Sequence, residues 1–114
     1  MSMKSASTLA SAALILVLLA GCGSAAKPGA IAIDGPEQAV ALYKQSCISC
    51  HGTDLKGRMG PETDLHDVGA RLSEPEILRQ IEQGGARMPA FGERLTAEEI
   101  AALSSWLSGL GKSE

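Results

Sequence analysis

Cys47-Ile48-Ser49-Cys50-His51 sets two thiols three positions apart, with an imidazole directly after the second. Such a pair can add to the two vinyl groups of one haem while the histidine coordinates its iron, which is the c-type attachment. A haem fixed by two thioether bonds cannot dissociate, so the arrangement suits a redox centre kept outside the cell. Two other chemistries use similar residues. A thioredoxin-like thiol pair sits beside a βαβ pattern, and nothing in this sequence alternates as strands do. A structural zinc site takes four ligands in two spaced pairs, yet only Cys22 and His66 remain as further cysteine or histidine.

Three cysteines in an exported chain normally leave an odd thiol to explain. Here the third, Cys22, belongs to the N-terminal segment. Lys4 gives a small positive start, and residues 9–20 are apolar except for Ser11, too short a run to span a bilayer comfortably. The run ends in Leu19-Ala20-Gly21-Cys22. This resembles the lipobox of bacterial lipoproteins, and the resemblance implies cleavage before Cys22 and diacylglycerol on its sulfur. Hydropathy alone leaves an ordinary signal peptide or an uncleaved anchor open. The expected organisation is a lipoprotein signal peptide at 1–21, a lipidated N-terminus and flexible tether at 22–33, and a haem domain at 34–114. A tether of about ten residues rich in Gly, Ser and Ala spans roughly 17 Å, which keeps a domain near a membrane yet free to turn.

Removing residues 1–21 takes away a single charge, Lys4, and leaves 9 basic against 13 acidic side chains, a formal −4. A mildly acidic small domain has no electrostatic footprint for nucleic acid. About 80 residues lie near the lower limit for a self-sufficient core, and only one Phe, one Tyr and one Trp are present to fill it. A covalently held porphyrin is therefore expected to be the core.

The pattern predicts an all-α domain. Thr96-Ala97-Glu98-Glu99 is a capping box, Leu95 and Ile100 form its hydrophobic staple, and Ile100, Leu103, Trp106, Leu107 and Leu110 follow at helical spacing up to Gly111. Ser73-Glu74-Pro75-Glu76 repeats the device, with Gly84-Gly85 as the stop. A third helix is expected from about Pro36 into Cys47, and the Gly, Pro and Asp content between residues 52 and 72 predicts loop.

The sixth position on the iron separates electron carriers from haem enzymes. Met88 is the candidate, in Gly84-Gly85-Ala86-Arg87-Met88-Pro89-Ala90-Phe91. Pro89 drives Met88 into extended geometry, and the glycines let the backbone pass close to a flat porphyrin. The plain alternative is that Met88 fills a gap in the core. Met59 lies only eight residues after His51, and His66 stands among Asp64 and Asp67, as a solvated histidine does.

From about residue 36 to 110 the chain resembles a small class I, or monohaem, bacterial cytochrome c. With its lipobox and tether it is similar to the membrane-anchored lipoprotein cytochromes c of Gram-positive bacteria. The matching residues are Ala41-Leu42-Tyr43, the haem motif through Gly52, Gly60-Pro61 leading into Leu65, Val68-Gly69, Leu72, Arg87-Met88-Pro89 and the Trp106 helix. The resemblance implies a cytochrome c fold of three to four helices wrapped around one covalent haem c, the first and last crossing near Tyr43 and Trp106. It implies thioethers at Cys47 and Cys50, His51 and Met88 as axial ligands, and the Pro61 carbonyl as acceptor for the His51 Nδ1 proton. Pro61 as a simple loop stiffener is the alternative. Lys56 and Arg58 fall where relatives line the haem crevice, although a solvated loop accounts for them as well.

The expected function is one-electron transport in a respiratory chain at the outer face of the cell membrane, between redox proteins such as a quinol-oxidising complex and a terminal oxidase. No catalytic acid or base is expected. The competing class is a haem sensor or catalyst with an open or displaceable sixth site, for which the sequence supplies no distal His and Arg pair.

Overall fold

A computed structural model describes residues 32–113. The expected signal peptide, the lipidation site at Cys22 and the tether up to residue 31 lie outside them. The elements run α1 (Glu37–Ser46), α2 (Ile48–His51), a 3-10 turn (Pro61–Thr63), α3 (Val68–Arg71), α4 (Glu74–Gln83) and α5 (Ala97–Ser108). Among the described residues there is no strand, and no helix is long and apolar enough to cross a membrane. The fold is thus all-α, with three helices of ten or more residues and two single turns.

Both capping boxes form. Thr96 Oγ1 accepts the Glu99 N–H at 3.2 Å, and the Glu99 carboxylate accepts the Thr96 N–H at 2.9 Å, so each satisfies an orphan donor of the first turn. At α4 the Glu76 carboxylate accepts both the backbone N–H (2.8 Å) and the hydroxyl (2.7 Å) of Ser73. The first of those bonds, then the second, holds the Glu76 carboxyl below the usual carboxylate range. Gly84, at φ +70°, ends α4.

The long helices bury one face each, Ala39, Val40, Leu42 and Tyr43 from α1 against Ile100, Leu103, Trp106 and Leu107 from α5. The rings of Tyr43 and Trp106 meet edge to face, with centroids 5.6 Å apart and planes at 81°. The Trp106 indole N–H donates to the Asp34 carbonyl at 3.1 Å, which pins the strap leading into α1. Buried Ser104 donates to the Ile100 carbonyl at 2.7 Å, so its hydroxyl is satisfied within α5.

Three expectations need correction. Residues 52–72 are not all loop: they hold the 3-10 turn and α3. Val68 is buried there, and Gly69 lets α3 approach α5 so closely that a Cβ would collide with the Ser108 carbonyl oxygen. Tertiary packing, rather than composition, therefore makes that turn helical. α5 stops at Ser108 rather than continuing to Gly111, because the Gly109 N–H bonds the Trp106 carbonyl at 3.1 Å and tightens the last turn. Finally, the protein has a side-chain core of its own, including Ala39, Val40, Ile100 and Trp106, and is not built on a prosthetic group alone.

The Thr96 cap yields a direct test. Thr96→Ala should cost about 1 kcal/mol and Thr96→Ser much less. By thermal denaturation followed in the far ultraviolet, the alanine variant should melt roughly 4–8 °C lower.

Candidate haem site

The cysteine pair and the histidine reach one surface because α2 is a single helical turn. Its bonds run from the His51 N–H to the Cys47 carbonyl (3.0 Å) and from the Gly52 N–H to the Ile48 carbonyl (2.9 Å). Positions i, i+3 and i+4 of such a turn share a face. Cys47, Cys50 and His51 accordingly line one cavity of about 540 Å³, within the range of ligand-sized cavities. Its walls are mostly apolar, with Val68, Ile77, Phe91, Leu103 and Leu107 shared between the cavity and the core.

No disulfide joins Cys47 to Cys50. Burial, and secondarily the neighbouring Cys50, pushes the Cys47 thiol up to about 11. Thiol-exchange proteins lower that value to expose a thiolate, so Cys47 lacks the activation that a thioredoxin-like reading requires of its attacking thiol. A zinc reading gains no support either: among the described residues the side chains close enough to share an ion are Asp64, His66 and Asp67, and Cys47, Cys50 and His51 are not among them.

The His51 ring is oriented by a backbone carbonyl. Its Nδ1 lies 2.7 Å from the Thr63 oxygen. A carbonyl can only accept, so Nδ1 carries the proton and Nε2 keeps its lone pair for a metal. The expected acceptor, the Pro61 carbonyl, does not fill this role. Pro61 opens the 3-10 turn, and its own carbonyl is taken by the Asp64 N–H at 3.2 Å. The acceptor therefore moves two residues on. Thr63 fixes the turn with its side chain as well, donating to the Gly60 carbonyl (2.7 Å) and accepting from the Met59 N–H (3.2 Å). Thr63 has no sequence signature as an acceptor; the one available signal is the Gly-Pro start of a tight turn.

Met88 also lines the cavity, half-buried and packed against the core. Its loop doubles back on α4: the Gly85 N–H donates to the Met88 carbonyl and the Phe91 N–H to the Ile81 carbonyl, each at 2.9 Å. The Gln80 amide donates to Met88 Sδ at 3.9 Å. Met59 reaches the same cavity but is 43% exposed. His66 stays outside, its Nδ1 held 2.6 Å from an Asp64 oxygen, a bond that lowers the Asp64 pKa. Lys56 and Arg58 do not line the cavity, and both are exposed.

A thiol pair, a correctly protonated imidazole and a large apolar cavity are what a covalent porphyrin requires, and the comparisons agree. Residues 34–107 match the family described as "Cytochrome C oxidase, cbb3-type, subunit III". The chain belongs to that family. It is 38% identical to cytochrome c-551 of Bacillus subtilis (strain 168), over 81% of this chain and 84% of that protein. It is 36% identical to cytochrome c-550 of the same organism over 59% of this chain and 52% of that longer protein. Among solved structures, the KustC0563 c-type cytochrome superposes with a TM-score of 0.56 at 33% identity, over 65% of this chain and 98% of that one. This cytochrome has the cytochrome c fold, holds a single covalent haem c and is an electron carrier.

Tyr43 ties the first helix of this cytochrome to its haem motif, since the hydroxyl donates to the buried Gly52 carbonyl at 2.6 Å. Tyr43→Phe strands that carbonyl and should cost about 1–3 kcal/mol in urea unfolding. Burial above all raises the Tyr43 pKa above the usual tyrosine value of about 10. A raised folded pKa contributes stability that is fully present below about pH 10 and lost as pH climbs further. The gap between wild type and Tyr43→Phe should therefore narrow above that pH, by up to about 1.4 kcal/mol per unit.

Proposed function

We propose that this cytochrome carries single electrons in a respiratory chain, held at the outer face of a membrane by lipid on Cys22, with His51 and Met88 as the axial ligands of its haem. The observation that carries the reading is the convergence of Cys47, Cys50, His51 and Met88 on one apolar cavity. In it, Cys47 and Cys50 hold the porphyrin by thioethers, and His51 offers Nε2 while Thr63 retains the Nδ1 proton. The loop after α4 presents the Met88 thioether, and Phe91, Leu103 and Leu107 exclude water from the cavity wall. When bound, the haem supplies a one-electron ferric/ferrous couple, whose potential a His/Met ligand pair raises above that of a bis-histidine pair.

The partners in this reading are redox proteins, a quinol-oxidising complex as donor and a terminal oxidase as acceptor. The formal −4 of residues 22–114 favours partners with basic docking surfaces. The Leu19-Ala20-Gly21-Cys22 segment supports the lipid anchor. Diacylglycerol contributes two chains at about 0.8 kcal/mol per buried methylene, so anchoring by it is effectively permanent.

Met88→Ala should leave the haem covalently attached, open the sixth position and lower the reduction potential. The ferric wild type should show a weak far-red sulfur-to-iron absorption band, and survival of that band in the variant would exclude Met88 as the ligand. Cys22→Ser should prevent lipid attachment and block cleavage at residue 21. Mass spectrometry of the mature N-terminus checks this, and an unmodified terminus downstream of Cys22 would rule out the lipoprotein form.

A further inference from the structure

The two proposed axial ligands are carried by segments that no helix joins. His51 ends α2, and its ring is steadied by the turn at residues 59–63. Met88 stands in the loop after α4, and the bonds of its backbone and sulfur described so far lead back only to that loop or to α4. Arg87 connects the two. Its guanidinium donates to the Met59 carbonyl at 3.2 Å and pairs with the Glu62 carboxylate. Met59 and Glu62 belong to the same turn that presents the Thr63 carbonyl to His51. One side chain thus clips the segment bearing Met88 to the support of His51. Both bonds leave one nitrogen, Nη2, whose two N–H groups serve the two acceptors at once.

We propose that Arg87 is a positioning residue: with Glu62 and the Met59 carbonyl it latches the Met88 loop closed and sets how readily Met88 leaves the iron. This rests on the reading of Met88 as distal ligand. The side chains of Arg87 and Glu62 are 61% and 57% exposed, so the latch is weak and sensitive to salt. It biases local opening of one loop and leaves the buried core untouched. An external ligand for the iron competes only with the opened form, so its apparent affinity follows the open fraction directly.

The test is imidazole titration of the ferric holoprotein, read by loss of the far-red band, for wild type, Arg87→Gln, Arg87→Lys and Glu62→Gln. Arg87→Gln should raise imidazole affinity about three- to tenfold, with Glu62→Gln and Arg87→Lys between it and wild type. At about 1 M salt, where charges are screened beyond roughly 3 Å, the wild-type affinity should climb toward that of Arg87→Gln, which itself should not move. Thermal midpoints should stay within a few degrees of one another. Unchanged affinity in Arg87→Gln with the band intact overturns the latch and leaves the Met88 reading standing. A rise accompanied by a collapse in thermal midpoint and no salt effect on wild type also overturns it, since that is general destabilisation. A wild type without the band overturns both. Should Arg87→Gln fail to mature, Glu62→Gln decides alone, with unchanged affinity counting against the latch.

Discussion

The single helical turn over Ile48–His51 is the constraint from which the rest of the structure follows. Two thiols and an imidazole must face one flat molecule, and in a helical turn the spacing i, i+3, i+4 does this without strain. That turn has to be entered and left abruptly. α1 gives way at Cys47, whose N–H still bonds the Tyr43 carbonyl at 2.9 Å. Gly52 leaves at φ +88°, a region that residues with a Cβ avoid. Tyr43 also reaches from α1 to the Gly52 carbonyl, so the packing of α1 on α5 and the exit from the haem motif share one ring.

The cavity and the core are two sides of one wall. Ala39, Val40, Ile100 and Trp106 pack behind that wall without the porphyrin, whereas Ile77, Leu103 and Leu107 lose one neighbour on the cavity side if it is empty. The helix crossing of α1 and α5 is therefore a property of the chain. α4 and its following loop form one wall of the cavity, through Ile77, Gln80, Ile81, Met88 and Phe91.

That division also explains what the sequence makes legible. The haem motif, the three long helices and both capping boxes can be read because each follows from local spacing, whereas the meeting of Tyr43 with Trp106 is implied only by the resemblance to class I cytochromes c. The support of His51 cannot. A carbonyl acceptor has no residue signature, and the choice between Pro61 and Thr63 depends on which oxygen the path of the 3-10 turn points at His51. α3 is hidden for a similar reason, since its one turn exists through burial of Val68 and the bare Gly69 surface against α5. Arg87 is visible as a charge, but its partners stand 25 and 28 residues away, beyond any local rule.

The two sides of the cavity are held by different means. His51 is fixed by a helical turn and a hydrogen bond to backbone, both of which persist while α2 and the turn after it remain folded. Met88 is fixed by a loop tied to α4 by backbone bonds and by buried Phe91 at its far end, with a long contact from Gln80 and an exposed ion pair made by its neighbour Arg87. Exposed pairs and loop hydrogen bonds lie at the low end of local stability, and buried helix contacts lie at the high end. A charge change at the centre of the cavity therefore meets a stiff support on the His51 side and a compliant one on the Met88 side. In a carrier that must be reduced and oxidised with little rearrangement, the loop at residues 84–91 is the segment whose tethering has to be good enough: Phe91 anchors its far end in the core, while the clip at Arg87 is polar and near water.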